Sequence, residues 1–151
     1  ERFGTAEVSR SLASLARLKA FLRERDPFRH SVAQKEATWR RVAELEMELE
    51  ALEITEARFL FPPDGANAIG PEASMLKVRG TEIQGDIFEL AMMCAGGHAM
   101  AARRDESGAD ARAARIGQDT AYPYFKFRKT PIYAGSNEIQ RNIIAKAVLG
   151  L

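Results

Sequence analysis

The stretch A-E-L-E-M-E-L-E-A-L-E, residues Ala43–Glu53, decides the fold class of this chain. Its alternation of apolar and acidic side chains is the pattern of a half-buried strand. Glu, Leu, Met and Ala, however, are strong helix formers and weak strand formers. The apolar side chains also recur at helical steps of 3, 4 and 3, at Val42, Leu45, Leu49 and Leu52. We therefore interpret the run from about Ser31 to Phe61, which contains no Gly or Pro, as one helix of about eight turns. Its glutamates form a solvated flank that faces the basic residues of the first helix.

Other segments are also amphipathic helices. The first, Thr5–Glu24, has its apolar stripe at Val8, Leu12, Leu15, Leu18 and Leu22 and ends before Asp26-Pro27. The third begins at Pro71 and ends at Gly96-Gly97, with an apolar face at Leu76, Ile83, Ile87, Leu90 and Cys94. Gly80 and Gly85 weaken this helix but permit the close approach of a neighbour. Residues 98–118 are interpreted as a mobile excursion.

The last helix is capped by Ser136 and closed by Gly150, and Ile139, Ile143 and Ala147 share one of its faces. Long antiparallel helices with short connections predict an all-α bundle.

Composition excludes several classes of protein. The 151 residues are 46% hydrophobic and 28% charged, with a net charge of +1. This is the balance of a globular domain, without the excess charge of a disordered chain or a nucleic-acid binder. The longest apolar stretch, Leu90–Ala102, is too short to span a membrane. The single Cys94 cannot form an internal disulfide, which favours a reducing, cytoplasmic location. The first residues do not resemble a natural terminus, so we expect a piece of a longer protein.

The residues alone indicate no specific chemistry. His30 and His98 lack the spacing of metal ligands, and Cys94 is interpreted as a small core residue. The methionines, including Met92 and Met93, are interpreted as core filler. The aromatic cluster of the segment Gln118–Lys129 is interpreted as core packing, at Tyr122, Tyr124, Phe125 and Phe127.

The C-terminus has a more specific pattern. Ile132–Leu151 reads I-Y-A-G-S-N-E-I-Q-R-N-I-I-A-K-A-V-L-G-L, which strongly resembles the closing signature of the acyl-CoA dehydrogenases. Glu24–Phe28 is similar to the E-R-x-x-F turn of that family, Pro71–Lys77 to the start of its third helix, and Ala95–Gly97 to its diglycine. The resemblance implies an antiparallel (up-down) four-helix bundle plus a short C-terminal helix, spanning residues 1–151. In the family this bundle follows a helical N-terminal domain and a β middle domain, which are both absent here.

The resemblance also implies a reaction, the FAD-dependent α,β-dehydrogenation of an acyl-CoA thioester. A carboxylate removes the α-proton while a hydride passes to the flavin. In much of the family that base is a Glu directly before the Gly of the Y-x-G-[ST] motif, but here the position is Ala134. Other members carry the base as a Glu-Arg pair in the first helix of this domain, which makes Glu1, followed by Arg2, the candidate base.

The remaining site residues are carried over from the family motifs. The resemblance implies FAD binding by Arg25, Phe28, Gly96, Gly97, Ser136, Asn137 and Glu138, and thioester binding by Tyr133 and Gly135. Two positions depart from the family pattern: Arg29 replaces a Gly, and Met93 replaces a Gln.

The implied partners are an acyl-CoA substrate, an electron-transfer flavoprotein as electron acceptor, and further copies of the chain in a dimer or tetramer, with a homotetramer as the expected form. An isolated fragment is expected to bind FAD weakly and to be inactive.

Two alternatives stay open. The chain could be a non-catalytic structural subunit of a heteromeric dehydrogenase, as Ala134 suggests, or a helical interaction module unrelated to flavin.

Overall fold

The computed structural model describes residues 6–28, 30–61, 70–100 and 119–150, and every regular element in these ranges is helical. The long helices are α1 (Val8–Arg25), α2 (Val32–Leu60) and α3 (Glu72–Ala95), and a 3-10 helix, Gly96–Met100, follows α3 directly. Residues 119–127 form α4, and Asn137–Leu149 form α5. The predicted all-α class is confirmed.

Helix α2 resolves the ambiguity of the alternating stretch. Its four predicted apolar positions are buried, at Val42, Leu45, Leu49 and Leu52. Met47, which a strand would place on the same side as Leu45 and Leu49, is 63% exposed. The Oγ atom of Ser31 accepts a hydrogen bond from the N–H of Gln34 and caps the helix, at the approximate start that the sequence predicts for it. Helical periodicity and propensity therefore outweigh the alternation.

Ion pairs between the helices show how they are arranged. Helix α2 runs antiparallel to α1, with Lys19 paired to Glu46 at 2.5 Å and Lys35 paired to Asp26 at 2.9 Å. It also runs antiparallel to α3, through Arg41–Asp86 and Arg79–Glu48. The long helices thus follow the predicted up-down order, and α1 and α3 point the same way. In the acidic flank of α2, Glu46 pairs with Lys19 of the first helix as predicted, whereas Glu48 pairs with Arg79 of α3. Such exposed pairs stabilise a fold only slightly.

The core is formed by the inner faces of the three long helices. It includes Leu15, Leu18 and Leu22 of α1, the α2 positions given above, and Leu76, Ile83, Ile87, Leu90 and Cys94 of α3. Cys94 is therefore the small core residue that the sequence predicts, and burial raises the pKa of its thiol to about 11. Leu12, at the edge of the α1 stripe, is 37% exposed.

Two groups of predicted core residues lie on the surface instead. The core-filler prediction is wrong for three methionines, since Met47, Met75 and Met93 are exposed. The core prediction is also wrong for Tyr122 and Phe125, which are about two-thirds exposed, at 65% and 67%. In the same segment, Phe127 is half-buried and stacks on Phe88 with ring centroids 5.2 Å apart.

The helical segment α4 was not predicted as an element, because its aromatic residues have no clear helical stripe. The shared face of α5 is exposed in the part of the chain that the structure describes: Ile139 is 53% exposed and Ile143 is 36% exposed. Helix α5 packs mainly against α3. Residues 62–69, between α2 and α3, and most of the excursion predicted at residues 98–118 lie outside the described residues.

The two glycines of α3 have opposite surroundings, which gives a matched pair of variants. A Cβ atom on Gly80 would lie 2.5 Å from the carbonyl oxygen of Ala6, whereas one on Gly85 would have nothing within 4 Å among the described residues. We expect Gly85→Ala to stabilise the protein by up to about 1 kcal/mol through helix propensity. Gly80→Ala must displace the backbone before α1, and we expect a net loss of about 1–2 kcal/mol from overpacking. Denaturant unfolding of both variants measures this, and equal stabilisation by the two would contradict the close approach.

Candidate functional site

The turn that leads into α5 contains the residues predicted to border the thioester. Ala134 and Gly135 both have left-handed backbone, with φ of 56° and 86°. The side-chain amide of Gln140 donates to the carbonyl oxygens of Ala134 and Gly135, at 3.2 and 3.5 Å. Within the described part of the chain, the N–H groups of Ala134, Gly135 and Ser136 donate to no acceptor. The turn therefore holds its carbonyls in place and leaves consecutive N–H groups available to a ligand.

Ser136 and Glu138 form the N-terminus of α5, as predicted. The Oγ atom of Ser136 accepts from the N–H of Ile139 and caps the helix. The Ser136 hydroxyl and the N–H of Glu138 itself hydrogen-bond to the Glu138 carboxylate, and these contacts lower the pKa of Glu138. This helix end therefore presents a dipole suited to polar ligands and an ionised carboxylate.

Asn137 faces inward, although the sequence assigns it to cofactor binding. It is 5% exposed, and its Oδ1 atom accepts from the ammonium of Lys77 at 2.7 Å. Its Nδ2 atom donates to the hydroxyl of Thr81 at 3.1 Å, and its N–H donates to the carbonyl of Pro131 at 2.8 Å. In this structure Asn137 therefore connects α5 to α3, and its polar side-chain atoms already have partners.

Tyr133 lies beside the N-terminal end of α1 and is 41% exposed. Partial burial, together with the nearby Glu7 carboxylate, raises the pKa of its phenol, while Arg10 opposes that rise. The phenol is therefore protonated at neutral pH and can donate a hydrogen bond. Glu7 in turn pairs with Arg10 at 2.9 Å and accepts from Gln84 of α3 at 3.0 Å.

Arg25 and Phe28 lie at the other end of α1. Arg25 is exposed in the last turn of the helix, and its guanidinium makes no ion pair within the described ranges. A free guanidinium fits the predicted contact with a pyrophosphate. Phe28 is half-buried and packs against the core cluster, so its ring also supports the chain after α1.

Gly96 and Gly97 follow the C-terminal end of α3. Gly96 has φ of 55° and its N–H donates to the carbonyl of Met92, so it also serves as the helix cap. Among the described residues, a Cβ atom on either glycine would have nothing within 4 Å, which leaves room for a ligand beside this part of the backbone. Met93, which replaces the Gln of the family pattern, is exposed one turn earlier.

These residues form two groups in one chain. Ala6 packs on Gly80, and Asn137 bonds to Lys77 and Thr81, which places the α5 turn near the N-terminal end of α1. Arg25, Phe28 and the diglycine lie at the C-terminal ends of α1 and α3, about 25 Å away along α1 at 1.5 Å per residue. The candidate base, Glu1, lies outside the described residues.

Sequence reasoning missed the residues that support the turn. Lys77 appeared only as the last letter of a family motif, and Gln140 and Thr81 were not singled out. Lys77 lies between Leu76 and Gly80, at a position of α3 that faces the inside of the bundle. A lysine at such a position is a signal of a buried polar contact, because a buried lysine needs partners.

The described ranges contain no group of three or more His, Cys, Asp or Glu residues placed to hold a metal ion. None of their helices combines the length and the apolar character that crossing a membrane requires.

Comparison with known proteins identifies the family. The model described as acyl-CoA dehydrogenase, C-terminal domain, matches residues 1–149. No curated protein and no solved structure matched the chain. The match covers nearly all of the sequence, and the helical architecture agrees with it. The chain therefore belongs to the acyl-CoA dehydrogenase family, as a C-terminal domain.

Proposed function

We propose that this chain is the C-terminal part of a flavin-dependent enzyme that dehydrogenates an acyl-CoA thioester between its α and β carbons. The observation that carries the proposal is the turn before α5. It has left-handed backbone at Ala134 and Gly135 and unpaired N–H groups at Ala134, Gly135 and Ser136 among the described residues. These features occur within the most specific family signature of the sequence.

The N–H groups of the turn have a direct chemical use. Removal of the α-proton moves negative charge onto the carbonyl oxygen of the thioester. Preorganised N–H donors lower the energy of that charge in the transition state. Tyr133 and Gly135 border this oxygen in the proposal, and the protonated phenol of Tyr133 is suited to a polar contact at its edge.

The residues available for FAD suit that group chemically, in two groups that lie about 25 Å apart along α1. The exposed guanidinium of Arg25 is free of ion pairs in the described part of the chain and suits a pyrophosphate. Gly96 and Gly97 have open space beside their backbone among the described residues, and Phe28 supports the chain after α1. At the start of α5, Ser136 and Glu138 offer polar groups. When bound, FAD supplies the hydride acceptor. Asn137 would contribute through its backbone, because its side chain faces α3.

The proposed base is Glu1. The methyl group of Ala134 cannot accept a proton, so the carboxylate must come from elsewhere. Ala6, the first described residue, packs on Gly80 on the side of the bundle where the α5 turn lies, and Glu1 precedes Ala6 closely in the sequence. This proximity in the chain supports Glu1 as the group that removes the α-proton.

The assembly is also part of the proposal. The exposed apolar residues of α5, Ile139, Ile143, Val148 and Leu149, favour burial against further copies of the chain or a related one, in a dimer or tetramer. We propose an electron-transfer flavoprotein as the electron acceptor and a cytoplasmic location. We also propose that the complete protein has the N-terminal helical and middle β domains of the family, and that residues 1–151 alone are inactive.

Ala134 favours one alternative, a structural subunit whose partner chain carries the base. Product analysis separates the two. The intact polypeptide is incubated with an acyl-CoA and an artificial electron acceptor, and the thioester is examined by mass spectrometry. A loss of two hydrogens from the acyl group supports the catalytic proposal. Product that forms only when a second dehydrogenase chain is co-expressed supports the alternative, and no product in either case would refute both.

A further inference from the structure

A lysine is buried beneath the α5 turn. Lys77 is 3% exposed, and its ammonium donates to Asn137 Oδ1 at 2.7 Å and to the carbonyl oxygen of Pro131 at 3.2 Å. Both acceptors are neutral, and no carboxylate pairs with this ammonium at ion-pair distance in the described ranges. The charge is therefore held by the two ends of the turn rather than by an ion pair.

Such an arrangement is unfavourable for stability by itself. Burial disfavours the charged form and lowers the pKa of Lys77, while the Glu138 carboxylate opposes that shift. A buried charge without an opposite charge beside it costs more than an apolar side chain of similar volume in a packed core. The two bonds of Lys77 thus fix a geometry at the expense of stability.

The geometry that they fix is that of the turn. Pro131 and Asn137 are joined by the bond from Asn137 N–H to the Pro131 carbonyl, and Lys77 contacts both of them. Between these two residues lies Ala134, whose left-handed φ of 56° is uncommon for a residue with a side chain. Strained backbone persists only where its surroundings hold it, and this turn is held by Gln140, by Lys77 and, through Asn137, by Thr81.

We infer that Lys77 is a positioning residue, which anchors Pro131 and Asn137 to α3 so that the N–H groups of Ala134, Gly135 and Ser136 point at the thioester oxygen. The inference rests on the proposed function for its chemical consequence. Its structural part, that the order of the turn depends on Lys77, stands apart from the reaction. Lys77 touches neither substrate nor cofactor in this account, and acts through the turn.

The test uses two variants of the intact polypeptide. Lys77→Met keeps the length and apolar body of the side chain and removes the donors. Ile87→Val removes one methyl group from the α3 core, at a residue that is 1% exposed and lies about 15 Å further along α3 than Lys77, at 1.5 Å per residue. Both are compared with the parent protein by thermal unfolding, by hydrogen exchange of peptides that cover residues 130–137, and by steady-state kinetics.

For Lys77→Met we expect faster exchange in the turn and a fall in kcat of at least about 10-fold, with KM changed less than about 3-fold. For Ile87→Val we expect a lower Tm with turn exchange and kcat near the parent values. A kcat in Lys77→Met that falls no further than in Ile87→Val would overturn the inference.

If the parent protein has no dehydrogenase activity, the proposed function fails and hydrogen exchange decides the structural part. Faster exchange confined to residues 130–137 in Lys77→Met would support it, and unchanged exchange would refute it.

Discussion

Replacing Glu1 by Gln is expected to slow reduction of the bound flavin by acyl-CoA about 10²- to 10⁴-fold, the usual contribution of a general base. The substitution keeps the size of the side chain and removes its ability to accept a proton. The thioester and the flavin should still bind, because neither contact depends on the charge of Glu1 in the proposal. Stopped-flow measurement of flavin absorption after mixing with acyl-CoA gives the rate, and the spectrum before mixing gives the flavin content.

Two further variants make this prediction specific. Glu7→Gln alters the carboxylate that lies near Tyr133 and pairs with Arg10, and it should change the rate far less than Glu1→Gln. The double variant Glu1→Gln with Ala134→Glu restores a carboxylate at the usual family position and should recover part of the rate. A parent-like rate in Glu1→Gln, or a larger loss in Glu7→Gln, would remove Glu1 from the mechanism.

The second large effect concerns stability. Leu45 is fully buried, at 0% exposure, in the centre of α2. Leu45→Ala deletes most of a core side chain and leaves a cavity between the helices, which typically costs about 2–5 kcal/mol of unfolding free energy. Denaturant unfolding followed by circular dichroism measures the loss, with an unchanged m-value as the sign that two-state unfolding is kept.

Met47→Ala is the matched control in the same alternating stretch. Met47 is two residues from Leu45 and would share its face in a strand, but it is 63% exposed in the helix. We therefore expect the free energy of unfolding to change by less than about 0.5 kcal/mol. Comparable losses in Leu45→Ala and Met47→Ala would mean that both side chains are buried, which the helix does not allow.

Most of the fold could be predicted from the sequence because its signals are local and agree with each other. The apolar steps of α2, the cap at Ser136, and the end of α3 at Gly96 each depend on a few neighbouring residues. The close approach at Gly80 followed from the small size of glycine. Its contact, the backbone of Ala6, could not be predicted, because it depends on the path of a distant segment.

The predictions that failed are those for which burial depends on tertiary packing. Met47 and Met93 are apolar and helical, but the rotation of α2 and α3 leaves them on the surface. Tyr122 and Phe125 lie on the outer side of α4, whose helical form the sequence did not reveal.

The candidate site was only partly accessible to sequence reasoning. The family motifs located the α5 turn, Arg25 and the diglycine, yet the residue types alone did not show that these positions form two groups along α1. Asn137 was assigned to the cofactor from its place in the motif, whereas its side chain bonds to Lys77 and Thr81. The bond between Lys77 and Asn137 joins residues 60 positions apart in the chain, which no local pattern reveals.

The central claim is that this helical chain is a working part of a flavin-dependent thioester dehydrogenase. Its most direct test is the visible spectrum of the purified intact polypeptide, recorded without oxygen before and after addition of acyl-CoA thioesters of different chain lengths. We predict a yellow protein whose flavin absorption is lost with at least one of these thioesters. A protein that purifies without flavin, both alone and with any chain that accompanies it, and that leaves every thioester unchanged would contradict the claim.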